Sequence, residues 1–155
     1  MSQPCVIWIE DNLEEDIKMR LSTLCDKKQW QLKKAEDVSE LADILLTEDP
    51  KFIKAFVLDM KLSGTNNLSD FKDIDKEASV VEWNSSIVDA GSLLLEHIFR
   101  KQESKYINIP ILILSVKRLV DLSDINGGEI ISITKRDVLD SKWKEGVNKF
   151  FQRLT

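Results

Sequence analysis

Cysteine and histidine are scarce in this chain. Cys5, Cys25 and His97 are the full complement. No C-x-x-C pair or Cys/His cluster is formed, so a zinc site has nothing to be built from. The two cysteines fall in an apolar run and late in a helical pattern, as small buried thiols in a reducing compartment would. His97 lies on a helical pattern with no partner and reads as an ordinary core or surface histidine. Long apolar runs are missing too: none approaches the roughly 20 residues needed to span a bilayer, and no secretory leader is recognisable. A cytoplasmic protein with no membrane partner is therefore expected. Positive charge is outnumbered, with 22 Lys and Arg against 27 Asp and Glu and a formal net charge of −5. No nucleic acid is expected as the main partner. Repeats and low-complexity tracts are also absent.

What is present is an ordinary globular balance, 43% hydrophobic and 32% charged over 155 residues. That suffices for one domain with a real core. Apolar runs at Cys5–Ile9, Phe56–Leu58, Ile111–Leu114 and Glu129–Ile133 read as buried strands, and the alternating Trp30–Ala35 as a strand nearer an edge. Helical spacing appears over Leu13–Lys27, after a Ser39 cap (Leu41, Ile44, Leu45), over Gly91–Lys101, and over Ser141–Leu154. A weaker helix is expected at Leu119–Leu122, and Asn126-Gly127-Gly128 marks a turn. Near-continuous apolar strands alternating with helices imply an α/β fold with a parallel sheet covered on both faces, doubly wound by right-handed crossovers.

Four short pieces place chemistry just past apolar runs: Glu10-Asp11, Asp59, Ser115 and Lys135. Residues at those positions converge outside the carboxyl ends of parallel strands. Three carboxylates, a hydroxyl and an ammonium in one crevice fit a magnesium-dependent site that handles a phosphoryl group. Mg2+ takes oxygen ligands and keeps several waters, and clustered carboxylates repel one another until a cation lies between them. Asp11 and Asp59 would ligate Mg2+ directly, and Glu10 directly or through water.

On these motifs the chain resembles a response-regulator receiver domain, a flavodoxin-like fold with five parallel strands in the order 2-1-3-4-5. The match is residue by residue: the acidic pair Glu10-Asp11 after strand one, the phospho-accepting Asp59 after strand three, the hydroxyl Ser115 after strand four, and Lys135 after strand five. The resemblance adds the backbone carbonyl of Lys61 as a further Mg2+ ligand. It implies phosphorylation of Asp59 by a histidine kinase or phosphotransfer protein, with the signal passed to a downstream protein target through the strand four to helix five face. It implies no independent metabolic reaction, only catalysis of its own phosphotransfer and dephosphorylation.

The pattern is departed from in three places. Arg136 follows Lys135 where receivers commonly carry a proline in a cis peptide; before a non-proline residue the cis form costs ~2.5–4 kcal/mol, so a trans bond is expected. Ser132 stands where the family's switch aromatic would be. The proline four residues after the acceptor is replaced by Ser63, and the chain then runs long. Most βα loops take about 2–6 residues, so the whole of 1–155 is read as one domain with an insertion at about 62–89. Inside it Leu68, Phe71, Ile74, Ala78 and Val81 have rough helical spacing, with a short extended piece at Val80-Val81 and Trp83 as the alternative. It would either cover part of the acceptor site or form a partner surface, or be a poorly ordered decoration. Trp8 is read as core, and the Lys27-Lys28 and Lys33-Lys34 pairs as solvated edges.

Two other functions compete. One is a receiver-like interaction module that no longer switches, which Arg136, Ser132 and the insertion favour. The other is a phosphatase of the haloacid dehalogenase type; that chemistry needs an Asp two residues after the nucleophile, where this chain has Lys61.

Overall fold

The computed structural model of the chain describes residues 3–12, 15–60, 62, 68–81, 89–115, 125–134 and 142–155. Five parallel strands, β1 (Cys5–Ile9), β2 (Gln31–Ala35), β3 (Ile53–Leu58), β4 (Ile111–Ser115) and β5 (Ile130–Thr134), form one sheet in the order β2-β1-β3-β4-β5. Every residue of β1 and of β4 is buried. A strand covered on both faces has no room for solvated side chains, which is why these segments read as unbroken apolar runs.

The period-two alternation of side chains divides the core into two layers. Val6, Trp8, Ala55, Val57, Leu112 and Leu114 point to one face. Helices α1 (Glu15–Lys27) and α5 (Lys142–Arg153) cover it with Ile17, Leu21, Cys25, Trp143, Val147, Phe150 and Phe151. Ile7, Ile9, Phe56, Leu58, Ile111 and Ile113 point to the other face, under α2 (Val38–Thr47) and α4 (Ala90–Leu94). Phe56 stacks on Phe99 at 4.2 Å between ring centroids, and Tyr106 meets both edge-on. Both cysteines are buried and free. Burial raises the Cys5 thiol, and burial with neighbouring Asp26 and Cys5 pushes Cys25 up to about 12. Neither is a ready nucleophile.

Several boundaries differ from the sequence reading. The cap of α2 is Asp37, not Ser39: its carboxylate accepts from Glu40 N–H at 2.8 Å, and the Glu40 carboxylate in turn accepts from Glu36 N–H at 2.8 Å. The helix starts earlier because Val38 is itself a core residue. β3 begins at Ile53, and β5 runs to Thr134. α4 ends in a π turn, Leu95–Phe99, rather than continuing as α-helix to Lys101. The expected helix at Leu119–Leu122, Trp83, Leu13 and Ser141 lie outside the described residues.

Part of the long connection after β3 packs on the α2/α4 layer. Leu68, Phe71 and Ala78 are buried, with Ile74 and Val81 partly so. The five apolar residues do face the core, but not from one helix: a 3-10 turn at Ser69–Phe71 gives way to α3 (Lys76–Ser79). Asp75 makes the break, its carboxylate accepting from Ala78 N–H at 3.1 Å. Lys101 Nζ ties this segment to the end of α4, donating to Asp75 at 2.8 and 3.0 Å and to Glu77 at 2.9 Å. Burial alone would raise the Asp75 carboxyl; the Lys101 hydrogen bond, the Ala78 N–H and the Lys101 charge outweigh it and hold it below its ordinary value.

Candidate functional site

The carboxyl edge of the sheet is laid out by register. Ile9 is level with Leu58 and with Ala35, and Leu58 with Ile113. One residue on, the ladders still hold: Glu10 N–H donates to Ala35 O at 3.0 Å, and Asp59 N–H to Ile9 O at 3.0 Å. Glu10 and Asp59 therefore leave the sheet side by side, with directions set by strand backbone rather than by a free loop. One ligand oxygen each from Glu10, Asp11 and Asp59 lie within 4.8 Å of one another. Glu10 and Asp59 are buried and Asp11 is half-buried.

On the next strand, Ser115 is the last residue of β4, paired with Thr134 of β5 and 0% exposed. β3 and β4 pair as far as Leu58 and Ile113, and Ser115 lies two residues beyond that pair. Ser115 thus ends the strand next to β3 at the same edge of the sheet. Lys135 follows Thr134 in the chain; Lys135, Lys61 and Arg136 lie outside the described residues. The structure brings together Glu10, Asp11, Asp59 and Ser115 at one edge.

The donor set suits a hard dication. All three groups are carboxylates, the ligands Mg2+ prefers. Their 4.8 Å spread is slightly wider than the ~4 Å between trans oxygens around Mg2+ at bonds of about 2.1 Å.

Two residues escaped the sequence reading, Lys34 beside this frame and Arg100 at the opposite, amino edge of the sheet. Lys34 is not simply a solvated edge residue. β2 is the parallel neighbour of β1, and the pairing of Trp8 with Lys34 lets its ammonium reach forward. It donates to Asn12 O at 3.3 Å and stands 4.9 Å from the Trp8 ring centroid. Asn12 N–H in turn donates to Glu10 Oε1 at 3.3 Å, so Lys34 braces the loop that carries Asp11. Its signal was its place one residue before the end of β2. Lys33, its neighbour, pairs with Glu48. The other residue is Arg100, 7% exposed, which donates to the carbonyls of Phe99 (3.3 Å), Tyr106 (3.0 Å), Ile109 (2.6 Å) and Gly128 (3.3 Å). Burial lowers its guanidinium to about 10. It fastens the end of α4 to the turn that feeds β5, and no periodicity distinguishes it from the surface arginines.

No protein-family model matches the chain, and no curated protein matches it in sequence. Solved structures do match in shape. The chemotaxis protein CheY4 of Vibrio cholerae is 13% identical with a TM-score of 0.54, the match covering 99% of this chain and 100% of that one. The receiver domain of the hybrid histidine kinase CckA is 15% identical with a TM-score of 0.51, covering 96% and 99%. The response regulator StyR is 14% identical with a TM-score of 0.51, covering 98% of this chain and 59% of that one. At such identities the likeness is one of fold. Strand order and coverage agree with the site's placement at the carboxyl ends of β1, β3 and β4: the chain has the flavodoxin-like fold of a response-regulator receiver domain.

Proposed function

We propose that this chain is a two-component signalling receiver, phosphorylated on Asp59 in the presence of Mg2+ by a histidine kinase or phosphotransfer protein. It acts in the cytoplasm and signals through contact with a downstream protein. The observation that carries the reading is the meeting of Glu10, Asp11 and Asp59 oxygens within 4.8 Å at the edge where Ser115 ends β4. No helix among the described residues is long and apolar enough to cross a membrane.

Glu10, Asp11 and Asp59, with the Lys61 carbonyl, would hold Mg2+. When bound, it supplies positive charge against the phosphoryl oxygens. An Asp59 oxygen attacks phosphorus as the phosphorus–nitrogen bond of a phosphohistidine breaks; the bonding pair stays on the imidazole, which takes a proton from water. The ladder bond from Asp59 to Ile9 holds the nucleophile still during this exchange. Ser115 donates its hydroxyl hydrogen to one phosphoryl oxygen, and the Lys135 ammonium offsets a second. The new charge, roughly −1.5 to −2, draws Ser115 and the end of β4 inward and changes the outer face of β5.

A second reading is a receiver-like module that binds partners without switching. Ser132 favours it: the residue is exposed on β5 and has no ring to turn between two positions. One experiment separates the two. Incubation with Mg2+ and acetyl phosphate should add one phosphoryl group to the mass, removable by hydroxylamine and absent in Asp59→Asn. Unchanged mass, with no response of Trp8 fluorescence to Mg2+, would leave only the interaction module.

A further inference from the structure

We propose that Gly91 is a positioning residue for the Asp59 carboxylate, fixing the acceptor in register with Glu10 and Asp11. Its functional consequence rests on the reading of Asp59 as acceptor and metal ligand; its geometry does not.

The chain leaves β3 after Leu58, runs through Asp59 and Met60 into the long connection, and comes back to Met60 at the start of α4. Gly91, in the first turn of α4, donates its N–H to Met60 O at 2.9 Å. The backbone that carries Asp59 is thus held from two sides, by Ile9 O on β1 and by α4. The contact tolerates no side chain. A Cβ at position 91 would lie 2.6 Å from Met60 Cα, 2.8 Å from Asp59 O and 2.9 Å from Met60 Sδ. Two of these three atoms are backbone, so only the sulfur can move aside. The requirement is for space and not for conformation, since Gly127 is the glycine with a positive φ among the described residues.

A methyl group there must lift α4 or turn the peptide between Asp59 and Met60. Leu93, Leu94, Leu95 and Ile98 are all buried, so α4 is anchored along its length and cannot retreat without opening the core. The peptide is the part with freedom. Turning it swings the Asp59 side chain about its Cα, out of a cluster only 4.8 Å wide.

The test compares Gly91→Ala with Ile98→Val, a core change on the same helix that does not touch Asp59. Two quantities are read: Mg2+ affinity by calorimetry, and the Asp59 carboxyl 13C resonance at fixed pH without metal. Gly91→Ala should weaken Mg2+ binding by about 10-fold and shift the resonance. Ile98→Val should lower Tm and leave both readings at wild-type values. A wild-type resonance in Gly91→Ala overturns the inference. If the wild-type protein itself binds no Mg2+, the proposed function falls, and the resonance alone decides the role of Gly91. If Gly91→Ala does not fold, hydrogen exchange of the Gly91 amide in the wild-type protein decides instead. Slow exchange of that amide supports the clamp, and exchange at the open-chain rate refutes it.

Discussion

β3 is buried at five of its six positions and has a strand on either side, whereas no residue of β5 is fully buried, Ser132 and Thr134 are exposed, and among the described residues only β4 pairs with it. One strand ends in the proposed acceptor and the other leads to Lys135. An interior strand can move only by breaking two ladders and displacing core side chains; an edge strand needs to break one. The pair of environments separates two duties. The proposed metal and acceptor groups sit on backbone that holds its geometry, and the surface beside them lies where displacement costs least.

The largest effect expected from this contrast is on stability. Phe56→Ala removes a ring stacked on Phe99 in the middle of β3 and should cost about 3–5 kcal/mol in urea unfolding. Ile131→Ala, at a partly buried position of β5, should cost about 1–2 kcal/mol because part of that surface is already wet. Equal losses at the two positions would break the comparison. Next, Ser115→Ala should slow phosphoryl gain from acetyl phosphate about 100-fold while leaving Mg2+ affinity at the wild-type value. A parallel loss of metal binding would mean that Ser115 holds the carboxylates and not the phosphoryl group.

A smaller effect follows from pH. The Asp75 carboxyl is held below its ordinary value by Lys101 in the native state. A depressed carboxyl contributes stability above its unfolded pKa, and that contribution is lost as pH falls through the folded one. Amide exchange over residues 71–79, taken relative to the open-chain rate at each pH, should therefore accelerate below about pH 4, ahead of β1 and β3. Uniform acceleration along the chain would assign no separate role to the Asp75–Lys101 contact. The smallest effect belongs to the edge: Ser132→Thr, exposed on β5, should change stability by less than about 0.5 kcal/mol and leave phosphoryl gain intact.

The strands that build the site were legible because they are covered on both faces. Cys5–Ile9 and Ile111–Leu114 contain no residue that water would favour, and the polar residue after each apolar run marks the end of the strand, although it is itself buried. Glu10, Asp59 and Ser115 could be placed from that signal alone, because strand ends and register follow from burial. Other features depend on contacts between distant parts of the chain. Nothing in the neighbourhood of Ser39 indicates that Val38 belongs to the core and moves the cap back to Asp37. The spacing of Leu68, Phe71, Ile74, Ala78 and Val81 reveals an inward face but not the break at Asp75, which a side-chain-to-backbone hydrogen bond creates. Arg100 was invisible for the same reason, and Lys34 showed only its place near the end of β2. Their partners are carbonyl oxygens, and every residue has one.

The burial of Arg100 also bears on how the protein meets a protease. A trypsin-like enzyme must take the arginine side chain into its own pocket, with the neighbouring backbone extended. Here the guanidinium is spent on four carbonyls, two of them beyond the connection at Ile109 and Gly128. Cleavage after Arg100 therefore requires the end of α4 and the turn before β5 to come apart together. The appearance of that fragment in a brief digest would time the loosening of the β5 edge, with no label attached and no residue changed.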